Sequence, residues 1–107
     1  MKIVYTDTAQ RDLRKIYEYI AQTLLVPDTA KALSEQIMGE VRTLESLPER
    51  YPLYQDEPWH SRGVRFFRVK NYLIFYTVDS GASTVSVARI MYGGRDISRQ
   101  LKETSEW

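Results

Sequence analysis

Apolar residues in this chain recur with two different periods, and the point where the period changes restricts the fold more than any other feature. Leu13, Ile16, Tyr17, Ile20 and Leu24 follow the i, i+3, i+4, i+7, i+11 spacing of one helical face. Ala30, Leu33, Ile37, Val41 and Leu44 form a second such stripe after Leu25-Val26-Pro27. Two amphipathic helices joined by so short a break pack antiparallel, as an αα-hairpin with one shared apolar face. Beyond Gly63 the pattern shortens to three β-prone runs, 64–69, 72–78 and 84–90, separated by Lys70-Asn71 and by residues 79–83. Turns of that length join neighbouring antiparallel strands.

The remaining segments fall into place around these two halves. Ile3-Val4-Tyr5 reads as a first strand, and Asp7 with Gln10 resembles a capping box opening the first helix. Asp28 or Thr29 is the expected cap of the second helix, which runs to about Ser46. Pro48 and Pro52 forbid helix and central strand, so the stretch to Gly63 is an ordered connection pinned by Tyr51, Tyr54 and Trp59. Asp96 can cap a short terminal helix at 97–102. The order is β-α-α-β-β-β-α, one α+β domain over residues 1–107 with the hairpin on one face of a mainly antiparallel sheet.

Composition excludes several functions. With 43% hydrophobic and 27% charged residues, the chain can bury about two-thirds of its unfolded surface and needs no staples. It has no cysteine, which removes disulfides, a thiol nucleophile and thiolate metal sites, and the single histidine leaves no basis for a zinc centre. Neither a cofactor motif nor a metal-ligand spacing is present. The early charge at Lys2 argues against a signal peptide, and no run approaches the roughly 20 apolar residues of a membrane span, so a cytoplasmic protein is expected. The formal charge of +1 conceals an asymmetry. Residues 1–57 hold seven basic and ten acidic side chains, residues 58–107 eight and four, giving −3 and +4. The C-terminal half is therefore the candidate face for an anionic partner.

Within that half, Arg62, Arg65, Arg68 and Lys70 follow one another without an intervening acid, and Arg89, Arg95 and Arg99 come later. Strand alternation places Arg65 opposite Arg68 and Lys70, and sets Arg89 between Val87 and Met91 on a largely apolar face, where a guanidinium needs a partner or a groove. Arg68 and Lys70 read first as solvated cations guarding a sheet edge. Tyr92-Gly93-Gly94-Arg95-Asp96 suits either an anion pocket at a strand-to-helix turn or a plain capped turn with Arg95 paired to Asp96 or Glu49. His60 is a residue type suited to general-base work but lies in a loop, and Glu49, Asp56 and Glu57 read as loop solvation or as an acid/base group. Tyr51, Tyr54 and Trp59 either stack on bases or anchor their loop to the core.

Two stretches carry a resemblance. Val69-Lys-Asn-Tyr-Leu-Ile-Phe-Tyr-Thr-Val78, followed by Val85-Ser-Val-Ala-Arg-Ile-Met-Tyr-Gly-Gly-Arg-Asp-Ile97, is similar to the C-terminal half of the RelE/ParE superfamily of type II toxin–antitoxin toxins. There a tyrosine-rich strand precedes one ending in an Arg-Val-Leu-His-Gly-x-Arg-Asp type motif, and the hairpin starting at Asp7 matches the family's first half. The resemblance implies a RelE/ParE-like fold, a small cognate antitoxin, and either DNA gyrase or ribosome-bound mRNA as target. Leu73 stands where RNA-cleaving relatives often have Arg, and Tyr92 stands where His is common, which favours the gyrase-blocking ParE-like branch. The alternative is a ribosome-dependent, metal-independent mRNA endoribonuclease. It would use Arg65 and Arg95 for the phosphorane, Tyr92 as acid or stacking platform, and Glu49 or His60 as base. A third reading is a non-toxic relative that only binds its antitoxin. Target or antitoxin contacts are expected at Arg62, Arg65, Arg89, Tyr92 and Arg95.

Overall fold

The computed structural model describes residues 1–94 and 96–107; the expectations placed on Arg95 lie outside the described residues. The elements are β1 (Lys2–Tyr5), α1 (Asp7–Glu18) continued by a π-helical turn (Tyr19–Thr23), and α2 (Pro27–Arg42) ending in a 3₁₀ turn (Thr43–Glu45). They are followed by β2 (Arg65–Val69), β3 (Tyr72–Asp79), β4 (Thr84–Tyr92) and α3 (Ile97–Lys102). The four strands form one sheet in the order β1-β4-β3-β2. β2, β3 and β4 are an antiparallel meander, and β1 lies parallel to β4, with Ile3 opposite Val85 and Tyr5 opposite Val87.

The sheet has two apolar faces. Toward the helical hairpin point Phe67, Val69, Ile74, Tyr76, Val85, Val87 and Ile90, packed on Ile20, Leu33, Ile37, Val41 and Leu44. On the other side Leu73, Phe75 and Met91 meet Tyr54, Trp59, Val64 and Leu101, with Phe66, Ile97 and Trp107 at the margin. The connection after α2 thus buries its aromatic residues. Tyr54 sits edge-on to Trp59, Phe66 and Phe75, and Tyr51 stacks on Phe67 at 4.4 Å. Burying a side chain of this size is worth about 1.5–3 kcal/mol, which is why the loop is ordered despite its prolines. Tyr54 N–H donates to Val64 O and Phe66 N–H to Pro52 O, so the loop also covers the outer edge of β2.

Several expected details are corrected. Thr6, not Asp7, caps α1: its Oγ1 accepts from Ala9 N–H at 3.0 Å and donates to Ala88 O. Gln10 reaches back to the Tyr5 carbonyl instead of closing a box with Asp7. Val26 occupies the cap position of α2, with Pro27 in the first turn, where its missing N–H costs nothing. Asp28 and Thr29 lie inside that helix. The first helix does not run regularly to Leu24 but widens from Tyr19, and Leu25 ends it at φ 59°. Asp96 does cap α3, accepting from Arg99 N–H.

The correction with most consequence lies in β4. Phe75 pairs with Arg89 but Tyr76 pairs with Val87, so Ala88 is an extra residue and the strand is bulged there. The bulge reverses the alternation. Val85 and Val87 face the helices, whereas Arg89 shares its side with Met91 and Phe75, not with Val87.

Candidate functional site

Beyond the bulge, β4 outruns β1, whose last ladder partner is Tyr5 against Val87. The exposed edge is taken over by α1. Asp12 Oδ2 accepts Ile90 N–H at 3.0 Å and Arg89 Nε at 2.8 Å, while Oδ1 accepts Arg89 Nη2 at 3.3 Å. The two side chains are only 13% and 15% exposed. Arg89 Nη1 also donates to Thr104 Oγ1 at 3.0 Å, so one guanidinium ties α1, β4 and the segment after α3 together. Arg89, expected as a target or antitoxin contact, has its donors directed into the protein's own structure.

Arg65 is similarly occupied. Its Nη1 donates to Tyr51 O at 2.7 Å, and Nη2 lies 3.8 Å from Glu49 Oε2, so Arg65 pins the start of the Pro-rich connection. Glu49 and Arg65 are thereby brought together. Arg62 and His60 lie on the exposed turn before β2, which also carries Glu57. Hydrogen bonds from Ser61 hold the Glu57 carboxyl below its ordinary value. Tyr92 is elsewhere. Its row along the sheet is Val69, Tyr72 and Tyr92, whereas Arg65 pairs with Tyr76. Four residues of strand separate the rows, about 13 Å.

What gathers around Tyr92 is a different set. Tyr92 is 47% exposed and edge-on to Tyr72, with ring centres 5.8 Å apart. Burial, then the neighbouring Tyr92 and Tyr19 hydroxyls, push the Tyr72 phenol above its ordinary value. Gly93 N–H donates to Asn71 O at 2.7 Å, and a Cβ at Gly93 would meet that carbonyl at 3.3 Å and the Arg68 guanidinium at 3.4 Å. A Cβ at Gly94 would lie 2.6 Å from the Tyr92 ring. The glycines are therefore needed for close approach; of the described glycines only Gly63 has positive φ. Of the two cations read from sequence as edge guards, Lys70 stands at the β2–β3 turn with Tyr19 and Tyr72, whereas Arg68, paired with Leu73, projects from the other face of the sheet against Gly93. Among the described residues neither cation is in an ion pair. Sequence reasoning singled out the Tyr92-Gly93-Gly94 turn but missed the place of Arg68 against Gly93, because it read Arg68 as a solvated cation at the sheet edge.

No group of three metal-ligating side chains occurs among the described residues, and no helix there is long and apolar enough to cross a membrane. The other notable surface is a groove of about 680 Å³ beside β1, lined by Val4, Tyr17 and Met38 with Lys2 and Arg14 at its rim. Its position follows from the sheet order, which leaves the outer edge of β1 without a strand partner.

A helical hairpin, a four-stranded sheet with a parallel first strand, and a basic corner beside a Gly-Gly turn define a small α+β protein of the RelE/ParE-like toxin fold. The family described as the ParE toxin of type II toxin–antitoxin systems, parDE, matches residues 3–97, and the chain belongs to that family. Among solved structures it is similar to the chromosomal ParDE system of P. aeruginosa, with 22% identity over 86% of this chain and 95% of that one and a TM-score of 0.69. It also resembles the RelBE2 toxin–antitoxin complex of Mycobacterium tuberculosis (25% identity, 85% and 88% covered, TM-score 0.58). The isolated E. coli RelE toxin is a third (16%, 95% and 96% covered, TM-score 0.60). The first and third likenesses concern the fold. No curated protein matches significantly.

Proposed function

We propose that this chain is the growth-inhibiting toxin of its module, that it acts in the cytoplasm by blocking DNA gyrase, and that a small cognate antitoxin neutralises it. The observation that carries this reading is the separation of the groups a metal-free ribonuclease would have to converge. Arg65 is spent on the Tyr51 carbonyl and Glu49, while Tyr92 lies four strand residues away. In-line attack by a 2′-hydroxyl needs base, acid and phosphorane donors around one phosphate. Arg65, Glu49 and Tyr92 do not surround a common point of that size. The competing reading, mRNA cleavage on the ribosome, would rest on Arg68 and Tyr92, the cation and phenol on either side of the Gly93-Gly94 turn.

The open edge of β1 suits the antitoxin. An extended segment can add as a strand there, its apolar residues in the groove and its carboxylates toward Lys2 and Arg14. Of the contacts expected at Arg62, Arg65, Arg89, Tyr92 and Arg95, Arg65 and Arg89 have donors engaged within the chain, which favours the β1 edge for this segment. Induction without antitoxin, with labelled thymidine and amino-acid incorporation followed in parallel, tests the target. DNA synthesis is expected to fall first; early loss of translation with cut transcripts would overturn the gyrase reading.

A further inference from the structure

β1 has one backbone edge bound to β4 and one edge open, and the open edge is not uniform. Lys2 N–H donates to Ser83 O at 2.9 Å and Thr6 N–H to Val87 O at 3.0 Å, so the even-numbered residues turn their backbone groups toward β4. Ile3 and Tyr5 therefore turn theirs outward, where a further strand would pair. One of these groups is already taken: Gln10, from α1, donates its side-chain amide to the Tyr5 carbonyl at 3.0 Å. Ile3 N–H, Ile3 O and Tyr5 N–H are left for a partner.

The surroundings say what segment fits. Ile3 and Tyr5 pack with the hairpin-side core, so residues opposite them on an added strand project into the groove against Tyr17 and Met38, which are 39% and 38% exposed. The groove carries Lys2 and Arg14 and, among the described residues of its lining, no carboxylate. A second copy of this chain would bring those cations against themselves, whereas an acidic segment would be matched. At the other end of the sheet the outer edge of β2 is covered by the chain's own Pro-rich connection, which leaves β1 as the edge open to a new strand.

We propose that Gln10 fixes where the antitoxin strand ends on the toxin, a reading that rests on the antitoxin adding to the β1 edge. The strand bonds to Ile3 N–H, Ile3 O and Tyr5 N–H, sets apolar side chains two residues apart into the groove, and leaves the ladder at the Tyr5 carbonyl. Side-chain alternation alone tolerates a slip of two residues, since that keeps every residue on its own face. A closed acceptor at Tyr5 confines the overlap. Gln10 is thus a positioning residue for antitoxin register, and by shortening the exposed edge it also limits pairing with unrelated strands.

Amide hydrogen exchange on the full-length chain, free and with its cognate antitoxin, tests this. In the complex the Ile3 and Tyr5 amides are expected to exchange about tenfold or more slowly than in the free toxin. Thr6 N–H, already bonded to Val87 O, is protected in both. Gln10→Ala opens the Tyr5 carbonyl. With labelled antitoxin, this variant is expected to protect one further antitoxin amide, two residues from the one bonded to Ile3 O. It is also expected to bind about fivefold more tightly, the worth of one backbone hydrogen bond. Its Tm stays close to that of the unaltered protein, since the bond removed is exposed. If Ile3 and Tyr5 are protected but the Gln10→Ala complex protects the same antitoxin amides as before, the role of Gln10 is overturned and the edge reading stands. If the antitoxin binds without protecting Ile3 and Tyr5, both fall.

Discussion

Replacing Asp12 with Ala tests the architecture where it is most concentrated. The substitution removes both carboxylate bonds to Arg89, at 2.8 and 3.3 Å, and the acceptor of Ile90 N–H at 3.0 Å. Breaking a buried pair from one side costs about 3–5 kcal/mol, because the remaining charge stays desolvated. Arg89 keeps Thr104 Oγ1 and contacts with Gln100, and both partners retain some exposure, so the lower end applies, about 3 kcal/mol. At about 4 °C per kcal/mol for a chain of this length, Tm should fall by about 12 °C. Urea denaturation measures this as a lowered midpoint at constant m-value. Asp12→Leu combined with Arg89→Met should recover the part of the loss due to the unpaired charge, leaving at least about 1 kcal/mol for Ile90 N–H, which then lacks its acceptor. A loss below about 1 kcal/mol for Asp12→Ala, the value of an exposed pair, would refute the argument that Asp12 takes the place of a strand at this edge.

Other predictions are narrower. Tyr76→Phe removes the 2.8 Å bond from Oη to Pro48 O and should cost about 1 kcal/mol in urea with unchanged m. Glu106 accepts from Thr8 N–H and Oγ1 at the first turn of α1, and these bonds hold its carboxyl below the ordinary value. A lowered carboxylate stabilises above its unfolded pKa and loses that contribution as pH falls through the folded one. Tm of the unaltered protein should therefore drop more steeply in acid than that of Glu106→Gln; parallel curves would refute this. Gly94→Val sets a Cβ against the Tyr92 ring at 2.6 Å. It should leave Tm within a few degrees while weakening target inhibition about tenfold, as loss of an aromatic anchor does. Unchanged inhibition would remove Tyr92 from the target surface.

The helical hairpin and the meander were legible because each rests on local periodicity: a stripe such as Ala30, Leu33, Ile37 and Val41 admits one face, and a two-residue turn at Lys70-Asn71 admits one pairing. The bulge was not. Ala88 carries no glycine or proline signal, and an extra residue there is set by how β4 must pass α1, not by its own propensity. The need for a partner at Arg89 was readable from its apolar neighbours, but Asp12 is 77 residues away and competes on paper with every other acid. The caps of α1 and α2 were each misplaced for a related reason: Thr6 and Val26 are chosen by where β1 and the hairpin apex deliver the chain. The apex itself gave no warning, since Leu is an unusual residue at a left-handed position. The candidate contacts were least legible. Alternation placed Arg65 correctly opposite Arg68, yet only the three-dimensional partners tell that Arg65 and Arg89 are spent on structure while Arg68 lies against Gly93 and Lys70 beside Tyr72.

Gyrase supercoiling in vitro tests the central claim most directly. Purified toxin titrated into gyrase with relaxed plasmid and ATP should abolish supercoiling at stoichiometric or modest excess, and added cognate antitoxin should restore it. Full supercoiling at large toxin excess, together with cleavage of mRNA when the same preparation is added to translating ribosomes, would contradict the account and move Arg68 and Tyr92 into a nuclease site.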